Sequence, residues 1–290
     1  MRPATRLRYA KAVRRWLAWV RVREASLTLR SAPALLGKFV EEAYQEGDPM
    51  SGMQDLLAGA QLFWPALLGT LRWPWRLLRT WARAEPVRRS APIPCIVAMA
   101  IAGSFLLASL PEAAALTLVG FHCFLRSGEL FALKLKDITY PSSGGAVVVL
   151  PETKSGSRRG AQEIVLVRSQ AVVRALQRIS HGRHSTAALL PETPSQFRRK
   201  FQQILQGLGL EDRNIAVYSL RRGGCVYDFK THGSIETTLI RGRWAHASTS
   251  RIYLQEAVAE AMEWSLEPEL RQRLQTAAAF LQSWLHDVAC

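Results

Sequence analysis

A proline-rich, basic segment divides this chain of 290 residues into two parts. It reads Glu85-Pro-Val-Arg-Arg-Ser-Ala-Pro-Ile-Pro94. Its three prolines fix backbone angles and remove amide donors, which predicts an extended linker rather than a helix or a strand. The chain length suits one large domain or two small ones. The linker therefore predicts two domains, residues 1–90 and 91–290.

The first domain is predicted to be a small helical bundle. Apolar residues recur at helical spacing between Thr5 and Glu24, and further helices are expected over about 31–46, over 51–69 with a kink at Pro65, and over 73–84. Six of the nine tryptophans fall in this domain: Trp16, Trp19, Trp64, Trp73, Trp75 and Trp81. Core packing of the bundle is the favoured interpretation of these rings, and stacking on bases is the alternative.

The second domain is predicted to be rich in α-helix with a small β-hairpin or antiparallel sheet, so the whole chain is mainly α. The β-branched runs 146–150 and 163–167 flank a polar turn and predict the hairpin. The stretch from Ile93 to Leu110 carries no charge and is predicted to be a buried core helix. A membrane span is the alternative, but the stretch is at the lower limit of length for one.

The charge of the chain indicates a polyanionic partner. The net charge is +15 and the pI about 10.4, which favours nucleic acid, with binding to a membrane surface or plain solubility as alternatives. The segment 254–290 differs, because it holds two basic and six acidic residues, so we do not expect it to lie on DNA.

The cysteines argue against a zinc site and against a secreted disulfide scaffold. Cys95, Cys123, Cys225 and Cys290 are scattered, and no two form a CxxC pair. This usage fits a reduced, intracellular compartment. No signal peptide is predicted, since no apolar run follows the Arg-rich start. We therefore expect no metal and no cofactor.

Four residues carry the chemistry that the sequence suggests. Tyr253 offers a phenol nucleophile, Arg126 and Arg221 can each bind two phosphate oxygens, and Lys154 can protonate a leaving hydroxyl. Each residue alone has an ordinary explanation, such as a surface arginine or a solvated lysine. Together they suit attack on a phosphodiester.

The order and local context of these residues resemble the tyrosine recombinases, also called phage integrases. The first motif of that family has an arginine, an acidic residue three positions later and then leucine, which Arg126, Glu129 and Leu130 match. Its hairpin lysine matches Lys154 within Glu152-Thr-Lys-Ser-Gly156. This resemblance covers residues 93–255 and extends loosely to 1–90, which looks like the helical, DNA-clamping core-binding domain of such proteins.

The second half of the resemblance lies around the nucleophile. The family motif His-x-x-Arg becomes Tyr218-Ser-Leu-Arg221 here, and Trp244 stands nine positions before Tyr253, where the family has His or Trp. Arg221 precedes Tyr253 by 32 positions, which also suits the family. The sequence Leu220-Arg-Arg-Gly-Gly224 looks more like that of recombinases of eukaryotic mobile elements than that of bacterial chromosome-dimer resolvases.

The resemblance implies a site-specific recombinase or integrase that works through a 3′-phosphotyrosine. Tyr253 would attack, Arg126 and Arg221 would hold the phosphate, Lys154 would act as general acid, and Trp244 would donate its indole N–H. Glu129 would brace the arginines. The implied partners are double-stranded DNA and further copies of the chain, assembled as a tetrameric synapse of dimers. The implied location is intracellular and on DNA, in the nucleus if the cell is eukaryotic.

One position departs from the family and leaves alternatives open. Tyrosine at 218 is a poor base near neutral pH, because its reference pKa is about 10, and His246 is a candidate to compensate. A catalytically impaired, co-opted DNA-binding relative is therefore one alternative. A type IB topoisomerase-like enzyme, which uses the same chemistry, is another. For the segment 254–290, packing within its own chain and docking on a neighbouring subunit both stay open.

Overall fold

The structure, a computed structural model, describes residues 1, 3–85, 89–151, 153, 162–244 and 256–286. The chain divides into two compact units, residues 1–88 and 89–290. Three of the predicted site residues, Lys154, His246 and Tyr253, lie outside the described residues.

The first unit is a bundle of four helices: α1 (Pro3–Val22), α2 (Ala32–Gln45), α3 (Met50–Phe63) and α4 (Arg72–Ala84). Its core contains two of the tryptophans, Trp16 and Trp81, and their burial agrees with the core-packing interpretation of these rings. The Trp16 ring meets the Trp64 ring edge-on at 6.3 Å between centroids. Trp73 is more exposed and covers Gly37, where a Cβ would overlap its ring.

The helix expected over 51–69 ends instead of kinking. α3 stops at Phe63, and Pro65–Leu67 forms a separate 3-10 turn. Trp64 adopts φ −126° and ψ 86°, outside the helical region. The physical reason is Pro65, which lacks an amide donor and disfavours helical angles at the residue before it.

The second unit contains the remaining helices and one small sheet. The helices are α5 (Cys95–Leu107), α6 (Pro111–His122), α7 (Ser127–Leu130), α8 (Gln170–Ser180), α9 (Pro194–Leu208), α10 (Val217–His232), α11 (Ile235–Gly242), α12 (Glu256–Trp264) and α13 (Pro268–His286). The mainly α fold class predicted from the sequence is confirmed.

The sheet has three antiparallel strands in the order β1 (Ile138–Thr139), β2 (Ala146–Leu150) and β3 (Glu163–Val167). The register pairs Leu150 with Glu163 at one end of the hairpin and Ala146 with Val167 at the other. The ends of β2 and β3 thus meet at Leu150 and Glu163, and the segment that joins them contains Lys154.

Helix α5 forms the centre of the second unit. It packs against α6 and α13, and most of its side chains are buried. The approach of α13 is close, because a Cβ on Gly103 would overlap the carbonyl oxygen of Ala277. The uncharged stretch from Ile93 to Leu110 is therefore a core helix with short flanks. Within the described part of the chain, none of the helices has the length and apolar run that spanning a bilayer requires.

Helix α13 packs within its own chain. Its buried face consists of Leu270, Leu274, Ala277, Ala278, Leu281 and Leu285. Most of these residues belong to the same apolar core as α5 and α6. The sequence left open whether the C-terminal segment packs within its own chain or docks on a neighbouring subunit. In the structure, this helix packs within its own chain.

Two glycines bring α10 close to its neighbours. A Cβ on Gly224 would overlap the carbonyl oxygen of Phe121 in α6, and one on Gly223 would overlap that of Ile93. The Arg-Arg-Gly-Gly sequence of this helix thus lies against α6 and against the segment that precedes α5. Arg222 uses the proximity to donate a hydrogen bond to the Ser90 carbonyl at 2.6 Å, which fixes the start of the second unit.

Candidate active site

Arg126 and Glu129 form a tight local pair at the start of α7. The Glu129 carboxylate accepts one hydrogen bond from the Arg126 backbone N–H at 2.9 Å and another from its guanidinium at 2.6 Å. Glu129 is 3% exposed and the Arg126 side chain 28% exposed. The buried carboxylate therefore fixes a guanidinium that is still accessible to an anion.

Arg221 is buried completely on α10. Its guanidinium donates to the carbonyl oxygen of Phe124, two residues before Arg126, and to that of Gly242 at 3.1 Å. These acceptors lie 97 and 21 residues away along the chain. The two carbonyls orient the guanidinium plane and join the loop before Arg126 to the end of α11.

Trp244 lies directly beside Arg221. The Arg221 guanidinium carbon lies over the indole ring, 4.9 Å from its centroid. The ring also covers Gly242, where a Cβ would overlap it. The Trp244 backbone N–H donates to Leu239 at 3.1 Å, so the chain folds back at the end of α11 and brings the indole under the arginine.

Arg243 connects the Arg126–Glu129 pair to the sheet. Its guanidinium contacts Glu129 at 2.6 Å and Glu163, the first residue of β3, at 3.1 Å. The backbone of Arg243 is left-handed, with φ 57° and ψ 42°, and its side chain is 8% exposed. Sequence reasoning missed this residue, because no local pattern indicates that an arginine adopts this conformation or pairs with two distant carboxylates.

A second ion-pair cluster holds α11 against α10. The buried carboxylate of Asp228 pairs with Arg241 and accepts a hydrogen bond from the Thr238 hydroxyl at 2.9 Å. Arg241 also donates to the His122 carbonyl at 3.3 Å. This cluster therefore fixes the helix that ends at Gly242, which in turn holds Arg221.

The comparisons with known proteins concern the fold. No protein-family model matches the chain, and the search of curated proteins finds no match. Among solved structures, the Tn1549 transposon integrase in complex with circular intermediate DNA gives a TM-score of 0.60 at 12% identity, over 91% of this chain and 99% of that one. The XerH site-specific recombinase bound to its difH substrate gives 0.51 at 13% identity, over 80% and 69%.

The chain has the tyrosine recombinase fold. The extent of the match to the Tn1549 integrase, which covers nearly all of both chains, decides this. Within this recombinase fold, the structure brings Arg126, Glu129, Arg221 and Trp244 into one connected set. Tyr218 lies in the first turn of α10, half-buried and three residues before Arg221, which puts both on one face of the helix.

Burial argues against a nucleophilic role for the three cysteines that the structure describes. It raises the pKa of Cys123 and of Cys225 to about 12, and that of Cys95 to about 11. These thiols are protonated at neutral pH and so are poor nucleophiles and metal ligands. Among the described residues, no three His, Cys, Asp or Glu side chains form a group that could hold a metal ion.

His122 cannot take over the role of the motif histidine, whose position Tyr218 occupies in this chain. Burial, together with the nearby Arg241 charge, lowers the pKa of His122 to about 4. The imidazole is therefore neutral and weakly basic at physiological pH. Its edge faces the rings of Phe121 and Tyr227, with centroids at 5.3 Å and 6.0 Å, which is the environment of a packing residue.

Proposed function

We propose that this chain cuts and rejoins double-stranded DNA through a 3′-phosphotyrosyl intermediate. The observation that carries the proposal is the position of Arg221. Its buried guanidinium is oriented by the carbonyls of Phe124 and Gly242 and lies against Trp244. Residues that lie far apart in the sequence thus meet at one arginine, with Arg126 two residues beyond Phe124.

In this proposal, Tyr253 attacks the scissile phosphorus in line. A bond forms from the phenol oxygen to phosphorus, the bond to the 5′-oxygen breaks, and Lys154 gives its proton to that oxygen. Arg126 and Arg221 hold the non-bridging oxygens as negative charge builds on them, and Trp244 donates its indole N–H. The phosphotyrosyl link keeps the energy of the original ester, so rejoining requires no cofactor and no metal.

Tyr218 and His246 complete the proposed set. The Tyr218 phenol donates a hydrogen bond to phosphate but accepts a proton poorly at neutral pH. His246 is the candidate that takes the phenol proton of Tyr253 as the phenol oxygen attacks phosphorus. The presence of tyrosine in place of the motif histidine at position 218 also favours the second candidate function. This candidate is an impaired, co-opted relative that binds DNA without cutting it. A type IB topoisomerase-like enzyme would use the same chemistry on one strand at a time.

The proposed partners are double-stranded DNA and other copies of the chain. The net charge of +15 suits a polyanion. The Tn1549 integrase and XerH, which share the fold, have been solved with DNA. We propose that residues 1–90 clamp DNA and that four copies form a synapse of two dimers. This arrangement places the protein on DNA, in the nucleus if the cell is eukaryotic.

Covalent trapping tests the proposal. The probe is a pool of nicked duplexes with randomised flanks, in which cleavage near the nick releases a short strand and prevents rejoining. We expect wild-type protein to yield an adduct that survives denaturation, and Tyr253→Phe to yield none while still binding DNA. Sequencing the trapped strands would identify the target site. Binding without any adduct would instead establish the DNA-binding relative.

A further inference from the structure

We propose that Arg243 is a positioning residue that clamps the base of the Lys154 hairpin to the Arg126–Glu129 pair. This inference rests on the proposed function, because it concerns how two parts of that site are held together. It assigns a role to a residue that has no place in the motif set that the sequence shares with the recombinases.

The first observation is the position of Arg243 between two carboxylates from different elements. Glu129 lies in α7 and Glu163 begins β3, and they are 114 and 80 residues from Arg243 in the sequence. The same guanidinium lies 3.5 Å from the Cys123 carbonyl. Because a guanidinium is planar with several fixed donors, it can satisfy these groups at once, whereas a lysine ammonium is a single point charge.

The second observation is the backbone of Arg243. It adopts φ 57°, a conformation that glycine accepts freely and that other residues adopt at a cost. The preceding residue, Gly242, is helical and lies against the Trp244 ring, so it does not provide the turn. The ion pairs of its side chain on both sides therefore offset the cost of this left-handed backbone.

The third observation is what the two carboxylates support. Glu129 holds the Arg126 guanidinium and backbone N–H. Glu163 is paired with Leu150 across the hairpin, so it lies where the two strands enter the segment that contains Lys154. Arg243 thus sets the distance between the arginine proposed to bind phosphate and the base of the hairpin that carries the proposed general acid.

Glu163→Gln tests the hairpin side of the clamp. Glu192→Gln is the matched control, because Glu192 also pairs with one cation, Lys200 at 2.6 Å, but in α9 and its preceding loop. Cleavage is measured on a nicked duplex with an ordinary phosphodiester and on one with a 5′-bridging sulfur, which leaves without a proton. We expect Glu163→Gln to slow the oxygen substrate about tenfold and the sulfur substrate much less, because proton delivery is affected most.

Arg243→Gly tests both sides. Glycine adopts the left-handed conformation without the steric cost that an arginine has there. This gain offsets part of the lost contact energy, so the variant should still fold. We expect Arg243→Gly to slow both substrates, since Arg126 loses its support as well. A Glu163→Gln defect that is equal on oxygen and sulfur, or no larger than that of Glu192→Gln, would overturn the positioning role.

Hydrogen exchange separates this inference from the proposed function. The amides of β2 and β3 should exchange faster in Glu163→Gln and Arg243→Gly than in wild type or Glu192→Gln. If wild-type protein forms no adduct but exchange rises in these variants, the clamp stands and the catalytic proposal fails. If exchange is unchanged, the clamp is wrong, whatever the activity.

Discussion

The guanidinium carbon of Arg221 lies over the indole of Trp244, 4.9 Å from the ring centroid. Carbonyl oxygens of Phe124 and Gly242 hold the same guanidinium in its plane. Backbone acceptors and one aromatic face thus determine the orientation of the charge that the proposed reaction uses. The first two predictions concern this arrangement.

Trp244→Ala should slow covalent cleavage about ten- to a hundredfold. A desolvated cation–π contact is worth roughly 2 kcal/mol, and the indole N–H is lost as well. The measurement is the single-turnover rate of adduct formation. The matched control is Trp264→Ala on α12, because that side chain is 75% exposed. Similar rates for the two variants would show that the indole contributes nothing at the phosphate.

Arg221→Lys should impair cleavage and Arg222→Lys should impair stability, although the two buried arginines are adjacent. Arg221→Lys should reduce cleavage at least about a hundredfold, because the planar fork that spans two acceptors is lost. Arg222 binds the Ser90 carbonyl, so Arg222→Lys should lower the melting temperature and leave cleavage by the folded fraction nearly unchanged. Loss of cleavage in Arg222→Lys with a normal melting temperature would contradict this assignment.

The sequence anticipated most helices and strands, and the structure places Arg221 against the loop that leads into Arg126. The strands 146–150 and 163–167 lie where the β-branched runs predict them. The two-residue strand β1 was not foreseen, because Ile138 and Thr139 are too short a run to show alternation. The end of α3 at Phe63 was misjudged, since Pro65 was expected to bend the helix and instead stops it.

The contacts of Arg243 lay beyond sequence reasoning for a different reason. Its carboxylate partners are Glu129 and Glu163, and its backbone is left-handed. Ion pairs between residues this far apart in the sequence produce no periodic sequence pattern. A positive φ at an arginine produces none either. Tertiary contacts determine both the ion pairs and the backbone conformation of Arg243. A single sequence therefore does not reveal the role of this residue.

Gly103→Ala should destabilise the second unit. The new methyl group would overlap the Ala277 carbonyl of α13, and forced overpacking costs about 1–3 kcal/mol in the free energy of unfolding. Denaturant unfolding measures the change. Gly207→Ala is the control, because that helical glycine has open space around its Cβ position. Equal stability of the two variants would show that α13 does not pack on α5 in solution.

Stability should fall in mild acid because of His122. The pKa of His122 lies near 4 in the folded chain, below its ordinary value of 6.5, so protons bind the unfolded chain more tightly. The stability that comes from keeping His122 neutral is complete above about pH 6.5 and is lost as pH falls toward 4. The loss is on the order of 3 kcal/mol in the free energy of unfolding. His122→Gln should flatten this dependence, and His181→Gln, at an exposed site, should keep it. An unchanged slope in His122→Gln would assign the acid sensitivity to other groups.

The central claim is that Tyr253 becomes joined to a DNA 3′ end, and one measurement tests it most directly. The wild-type adduct is digested with protease and nuclease, and the residual nucleotide is located on a peptide by mass spectrometry. We predict a 3′-phosphonucleotide on Tyr253 and a free 5′-hydroxyl on the released strand. A nucleotide on another tyrosine, or a link to a 5′ phosphate, would contradict the account.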